Sequence, residues 1–207
     1  IRERGKSSLG ISTPDSSTAP VNGSLLGSTW GLNDVESRRA ALGSALSGHY
    51  GVLALSGHAS HFEEGVPGTN PFDIQGVAAS SLYGPEASCG PSNPEGPDLS
   101  GSIVYAVGCH GGLSVPGTCQ GDSDHSLDLP QAFLSRGAVA YVANTGYGWG
   151  LKYGIGYGAR MVQIFTEQMT TGSATQAVGD LVRSTKARYL LEVPRFDPYD
   201  QKSLMEW

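Results

Sequence analysis

The chain has 207 residues, 30 of them glycine, and its formal net charge is −6 because 19 acidic residues outnumber 13 basic ones. Its largest basic group is Arg2, Arg4 and Lys6, which is less clustered positive charge than a nucleic-acid-binding surface needs. No apolar run reaches the roughly 18 residues of a membrane-spanning helix. The composition therefore favours one folded domain with no nucleic-acid partner and no membrane span.

The first 20 residues are rich in Ser, Thr, Pro and Gly and show no hydrophobic periodicity. We expect residues 1–20 to form a flexible arm or linker, and residues 21–207 to form the domain. The chain begins at Ile1 without a methionine, and no signal peptide is visible. We therefore expect a fragment of a longer, processed chain.

A first helix is predicted over residues 33–47, because an Asn-Asp pair at its start supplies an N-cap and apolar residues recur at helical spacing. The run Tyr50–Leu55 is almost continuously apolar, which is typical of a strand buried on both faces. Residues 59–101 are rich in Gly, Pro, Ser and Asn. We expect a long functional loop there, with a short helix near 75–83.

Two further buried-strand patterns follow at Ser102–Val107 and Ala138–Ala143, and a helix is predicted between them at Leu129–Ser135. Apolar spacing predicts two more helices, at 158–170 and Ser173–Leu191. Prolines interrupt the tail 193–207, which is expected to be irregular. Strands that alternate with helices predict an α/β fold with a mostly parallel sheet and helices on both faces.

Polar residues follow each predicted strand of this sheet. His58 comes after the first strand, Cys109 after the second, and Asn144 and Thr145 after the third. In parallel sheets, functional groups gather at the carboxyl ends of the strands. We therefore expect these loops to meet at one edge of the sheet.

A thiol and an imidazole at such an edge predict nucleophilic acyl transfer. The imidazole of His58 would take the proton of the Cys109 thiol, because the thiolate is the nucleophile. Acyl transfer also needs N–H donors that point at the developing oxyanion. The predicted donors are the backbone amides of Gly57, Gly108 and Cys109. Cys109 lies 51 residues after His58, close to the spacing of about 50 in caspases.

Three segments carry a resemblance to a known family: LALSGHASHFEEG, IVYAVGCHGGLSVPG and QAFLSRGAVAYVANTGYGWG. They resemble the catalytic domain of the gingipains, a family of clan CD cysteine peptidases with a caspase-like fold. The resemblance implies a three-layer αβα architecture, His58 as proton shuttle and Cys109 as nucleophile. It also implies that Thr145 and Trp149 line the pocket for the P1 residue. The acyl-transfer chemistry itself needs no cofactor, so we expect none.

The family also has a preceding subdomain that supplies pocket residues and an acid supporting the histidine. No segment of this chain clearly corresponds to it, so the sequence does not identify a third catalytic acid. A basic P1 preference is an expectation of the same resemblance.

The remaining cysteines and acids leave alternatives open. Cys89 and Cys119 form either a disulfide, which would leave Cys109 as the free thiol, or two reduced thiols. Asp122 and Asp124, with Asp128, form either a structural calcium site, a source of negative charge for a basic P1 side chain, or a solvated acidic loop. Glu63 and Glu64 share that ambiguity. No zinc-ligand spacing is present, so we expect no zinc site.

The leading hypothesis is a secreted or cell-surface cysteine endopeptidase that cleaves protein or peptide substrates through a thioester intermediate. We expect a further partner in the rest of the parent polypeptide or in another processed chain. The first alternative is a non-catalytic, peptidase-like binding or scaffold module of a larger surface protein. A second alternative is a different thiol hydrolase or transferase.

Overall fold

A computed structural model describes residues 8–11, 46, 50–67, 74–78, 82, 96–115, 127–151, 154–172, 175–193 and 196–207. Among these residues the strands, numbered in chain order, are β1 (Ser8–Ile11), β2 (Val52–Leu55), β3 (His58–Ala59), β4 (Glu63–Pro67), β5 (Ile74–Ala78), β6 (Ile103–Ala106) and β7 (Ala140–Ala143). The helices are α1 (Leu129–Ser135), α2 (Tyr157–Thr171), α3 (Val178–Glu192) and α4 (Pro198–Glu206).

The larger sheet has the strand order β1-β2-β6-β7, and all three of its pairings are parallel. The three strands predicted from apolar runs are confirmed as β2, β6 and β7, each two residues shorter than its run. Apolar runs of this kind mark strands that bury both faces, because a parallel sheet is covered by helices on each side. The fold is therefore α/β with a parallel sheet, as predicted.

Successive side chains of these strands enter two different hydrophobic cores. One face contributes Leu53, Leu55, Val104 and Ala106 to a core that includes Leu129 and Phe133 of α1. The other face contributes Val52 and Tyr105 to a core with residues of α2, α3 and the chain end: Met161, Ile164, Phe165, Leu181, Tyr189 and Trp207. This arrangement, with helical side chains packed on both faces of the sheet, is compatible with an αβα order of layers.

A second sheet follows β2 and consists of the antiparallel strands β3, β4 and β5. It occupies part of the segment 59–101, which was predicted to be a loop with a short helix near 75–83. That prediction is wrong at residues 63–67 and 74–78, which form β4 and β5, whereas Leu82, within the predicted helix, is helical. The physical reason is pairing: β5 has only weak local strand signals, but all five of its residues are paired with Glu63–Pro67.

The helix predicted at Leu129–Ser135 is confirmed with those bounds as α1, because Asp128 caps it and Pro130 lies in its first turn. The helix predicted at 158–170 is confirmed as α2. The next helix is also confirmed, although α3 begins at Val178 rather than near Ser173. Of the helix predicted at 33–47, only Leu46 is described, and it is helical and buried.

The tail 193–207 was predicted to be irregular, and this is wrong because residues 198–206 form α4. The missed signal is a capping box. The Asp197 carboxylate accepts hydrogen bonds from the N–H groups of Tyr199 and Asp200, and the Asp200 carboxylate accepts one from the Asp197 N–H. Pro198 occupies a first-turn position, which a helix tolerates.

The arm predicted at residues 1–20 contains β1, which pairs in parallel with β2 from Ser8↔Val52 to Ile11↔Leu55. This differs from the expectation that the segment holds no folded element. Four residues with two apolar side chains give little local signal, and the strand depends on its partner for hydrogen bonds. The other residues of the arm lie outside the described part of the chain. No described helix is both long enough and apolar enough to cross a membrane.

Candidate active site

The register of the parallel sheet places the predicted histidine and cysteine at matching positions. Leu55 of β2 lies beside Ala106 of β6, and the Val107 N–H donates to the Leu55 carbonyl oxygen at 3.3 Å. His58 and Cys109 each come three residues after this last pair. Paired strands lie about 4.8 Å apart, so the segments that lead to His58 and Cys109 leave the sheet side by side at the carboxyl ends of β2 and β6.

Direct contact between the two segments follows from the residues next to them. Gly108 and Ala59 are packed so closely that a β-carbon on Gly108 would lie 2.2 Å from the Ala59 Cβ and 3.1 Å from the Ala59 nitrogen. Ala59 directly follows His58, and Gly108 directly precedes Cys109. The structure therefore brings the two predicted segments into contact. His58 is exposed and Cys109 is half-buried, which leaves both accessible from outside.

Cys109 lies at a sharp turn after β6. The next residue, His110, has a φ of 58°, a left-handed conformation that is uncommon for residues other than glycine. The His110 N–H donates to the Gly146 carbonyl oxygen at 2.6 Å, and the Cys109 thiol donates to the Gly148 carbonyl oxygen at 3.7 Å. Strained backbone of this kind is concentrated at functional sites. The His110 ring packs edge-on against Tyr147, at 4.7 Å between centroids.

Two buried side chains hold the backbone just before Cys109. The Asn144 side-chain amide donates to the carbonyl oxygens of Val107, at 3.0 Å, and Gly108, at 3.4 Å. The Glu64 Oε1 accepts a hydrogen bond from the Gly108 N–H at 3.2 Å. Asn144 was expected at this edge from its strand-end position, but the role of Glu64 was not recognised. The sequence around β4 has little strand signal, and nothing in it indicates that Glu64 bonds to the backbone of Gly108.

The predicted oxyanion donors are in different environments. The Gly108 N–H is already bonded to Glu64, so Cys109 and Gly57 retain the donor role in our interpretation. Gly57 lies against β4 so closely that a β-carbon there would be 2.2 Å from the Gly65 carbonyl oxygen. Because they lack a β-carbon, Gly57 and Gly108 allow the segments that precede His58 and Cys109 to pack closely against β4 and β3.

The Glu64 carboxyl is buried together with other polar groups. Burial raises its pKa from the ordinary 4.5 to about 8, although the backbone amides of Gly108 and Val107 act to lower it. The Oε2 atom of Glu64 and the hydroxyl of Tyr141 are buried without a hydrogen-bond partner among the described residues. Burial also raises the pKa of the Tyr141 phenol well above its usual value, and the nearby charges of Glu64 and Asp128 add to this. The candidate site therefore rests on a buried acidic group that is costly to ionise.

This burial predicts that stability depends on pH through Glu64. Because the folded-state pKa is raised, the folded protein holds a proton that the unfolded chain has lost between about pH 4.5 and 8. The contribution of Glu64 to stability is complete below pH 4.5 and is lost as pH rises through about 8. Glu64→Gln should remove this dependence. Between about pH 4.5 and 8, the unfolding free energy of wild type should therefore fall relative to that of Glu64→Gln by roughly 1 kcal/mol per pH unit.

Urea unfolding of both proteins between pH 4.5 and 9 measures this difference. Asp180→Asn, at an exposed carboxylate on α3, is the matched control and should follow wild type. Parallel curves for wild type and Glu64→Gln would show that the Glu64 pKa is not raised.

The two residues predicted to line the P1 pocket lie on the loop after β7, and both contact α4. The Thr145 N–H and hydroxyl donate to the Glu206 carbonyl oxygen at 2.6 and 2.9 Å. The Trp149 ring packs against Tyr199, with 4.7 Å between centroids, and the Lys202 Nζ lies 5.3 Å from its centre. This loop is therefore supported by a helix that the sequence did not predict.

Part of the acidic cluster has a structural role. Asp128 is fully buried and caps α1, accepting hydrogen bonds from the N–H groups of Gln131 and Val115, each at 2.8 Å. It therefore does not belong to a solvated loop. Asp122 and Asp124, and the cysteines Cys89 and Cys119, lie outside the described residues. Within the described ranges no group of three His, Cys, Asp or Glu side chains is placed to hold a metal ion.

Comparisons with protein-family models, with curated proteins and with solved structures each found no match for this chain.

Proposed function

We propose that this protein is a cysteine endopeptidase with a caspase-like αβα fold, in which Cys109 is the nucleophile and His58 is the general base. The observation that carries this proposal is the shared register of the strands before the two residues, together with the contact between Ala59 and Gly108. A thiol and an imidazole on adjoining loops at the carboxyl ends of parallel strands are suited to nucleophilic catalysis.

The proposed reaction has two steps. His58 takes the proton of the Cys109 thiol, and the thiolate attacks the scissile carbonyl carbon, whose oxygen becomes an oxyanion near the Cys109 and Gly57 N–H groups. The C–N bond then breaks, the imidazolium of His58 gives its proton to the leaving amine, and a thioester remains on Cys109. Water, deprotonated by His58, hydrolyses the thioester and regenerates the thiol.

The proposed substrates are proteins or peptides outside the cell or at its surface. The aromatic and hydroxyl side chains of Trp149 and Thr145 form one side of the P1 pocket in this proposal. A basic P1 residue is favoured because the chain is acidic overall and carries the acids Asp122 and Asp124 thirteen and fifteen residues after the nucleophile. The chemistry needs no cofactor, and a calcium ion, if bound, would be structural.

Chemical modification tests the proposal directly. Iodoacetamide at a stoichiometric level should label Cys109 first, as identified by peptide mapping, and the labelled protein should no longer cleave a mixed peptide library that the untreated protein cleaves. Cys89→Ser and Cys119→Ser variants are the controls and should lose activity to the same reagent. Full cleavage by protein labelled at Cys109 would overturn the proposal and favour a non-catalytic module or a different chemistry.

A further inference from the structure

Buried side chains bond to both of the two consecutive peptide groups that directly precede Cys109. In the first group, the Val107 carbonyl oxygen accepts from Asn144 and the Gly108 N–H donates to Glu64. In the second group, the Gly108 carbonyl oxygen accepts from the same Asn144 amide. The remaining polar group of the second peptide is the Cys109 N–H.

The orientation of that N–H is determined by its own peptide plane. A trans peptide is planar, and its N–H points opposite to its C=O. Asn144 holds the Gly108 carbonyl on one side, so the Cys109 N–H points to the other side. The bond from Gly108 to Glu64 prevents the preceding plane from rotating, and the close packing against Ala59 prevents Gly108 from shifting.

We propose that Glu64 and Asn144 are a pair of positioning residues that lock the two peptide groups before Cys109 and thereby aim the Cys109 N–H at the oxyanion of the substrate. This rests on the proposed peptidase function and adds to it two residues that do not touch the substrate. The two side chains come from different elements, since Glu64 lies on β4 and Asn144 follows β7. The oxyanion donor is therefore aligned only when the antiparallel sheet that contains β4 and the parallel sheet that contains β7 are both in place.

The burial of the pair supports this role. Glu64 and Asn144 are 3% and 1% exposed, so little water competes for their hydrogen bonds, and a low local dielectric strengthens such bonds. The Glu64 carboxyl also keeps one buried oxygen without a hydrogen-bond partner among the described residues, which is unfavourable. Perturbed groups of this kind are concentrated near functional sites.

The test compares two reactions of Cys109 that differ in their need for an oxyanion donor. Alkylation by iodoacetamide displaces iodide and forms no oxyanion, whereas peptide hydrolysis does. Asn144→Leu and Glu64→Met remove the hydrogen-bonding groups and keep the branching of the first side chain and the length of the second. Each should lower kcat on a peptide that wild type cleaves by about 10- to 100-fold, with KM and the iodoacetamide rate changed by less than about threefold.

Conservative replacement and a matched control separate positioning from stability. Glu64→Gln retains an acceptor oxygen and should keep kcat within about threefold of wild type. Thr185→Val removes a buried hydrogen bond from α3 to Gln168; it should lower Tm with no loss of kcat. If Glu64→Met does not fold, Asn144→Ser provides the same comparison on the carbonyl side.

Three results would overturn the inference: unchanged kcat in Asn144→Leu and Glu64→Met, a parallel fall in kcat and iodoacetamide rate, or a loss in Thr185→Val equal to theirs. The proposed function fails in a different way, through peptide cleavage that survives the alkylation of Cys109. The two failures are therefore distinguishable.

Discussion

Replacing His58 with alanine is expected to lower kcat for peptide hydrolysis by about 10²- to 10⁴-fold, the range that a positioned general base contributes. The expected cause is the loss of the group that takes the thiol proton and returns it to the leaving amine. The iodoacetamide rate at Cys109 should fall as well, because less thiolate forms near neutral pH. Steady-state hydrolysis and timed alkylation, both followed from pH 6 to 9, measure the two effects.

His61→Ala is the matched control for this experiment. His61 lies on the same segment, three residues further on, where its ring packs edge-on against Phe62 and its carbonyl oxygen accepts from the Leu129 N–H. The ring contact stays within this segment and the carbonyl bond joins the segment to α1, so neither contact involves Cys109. We therefore expect a small loss of stability and a kcat within about threefold of wild type. A larger loss of kcat in His61→Ala than in His58→Ala would show that His61, and not His58, is the general base.

The parallel sheet could be predicted because its signals are local. Runs such as Tyr50–Leu55 are apolar at nearly every position, and only a strand covered on both faces requires this. The signal for the helix at Leu129–Ser135 was equally local, since Pro130 lies in its first turn and Asp128 caps it. The strands β1 and β5 could not be predicted in this way, because their stability comes from pairing with other segments. The partners of β1 lie 44 residues away, as in Ser8↔Val52, and those of β5 lie 7 to 15 residues away, from Ile74↔Pro67 to Ala78↔Glu63.

The candidate site likewise has features that the sequence predicts and contacts that it does not. The location of His58 and Cys109 at the same end of the sheet could be predicted, because residues that follow neighbouring parallel strands meet there, a rule that needs no knowledge of side-chain packing. The contact from Glu64 to Gly108 spans 44 residues, and it depends on which face of β4 turns inward. Residue spacing does not carry that information. The helix α4 was missed although its signal was local, because the prolines of the tail were interpreted as interruptions rather than as a first-turn residue after Asp197.

Gly108→Ala is expected to damage both stability and activity, because the contact that joins the two segments leaves no room for a methyl group. The added carbon would lie 2.2 Å from the Ala59 Cβ, and 3.1 Å from both the Ala59 nitrogen and the Glu64 Oε1. Two of these atoms belong to a β-strand and one to a buried carboxyl, so relief requires moving β3 away from β6. Overpacking of this kind costs about 1–3 kcal/mol.

The effect on activity should be larger than the effect on stability implies. Separating β3 from β6 moves His58 away from Cys109 and breaks the bond from Gly108 to Glu64, and a displacement of about 1 Å at a reacting centre costs roughly 100-fold in rate. Gly150→Ala is the matched control, since Gly150 lies in a loop of the same edge and a β-carbon there meets nothing within 4 Å. Urea unfolding and kcat/KM, measured on both variants, separate the two effects. If Gly108→Ala retained wild-type kcat/KM, the close contact between these segments would not be what aligns the base with the nucleophile, and the catalytic pair would have to be held by the loop after β7 instead.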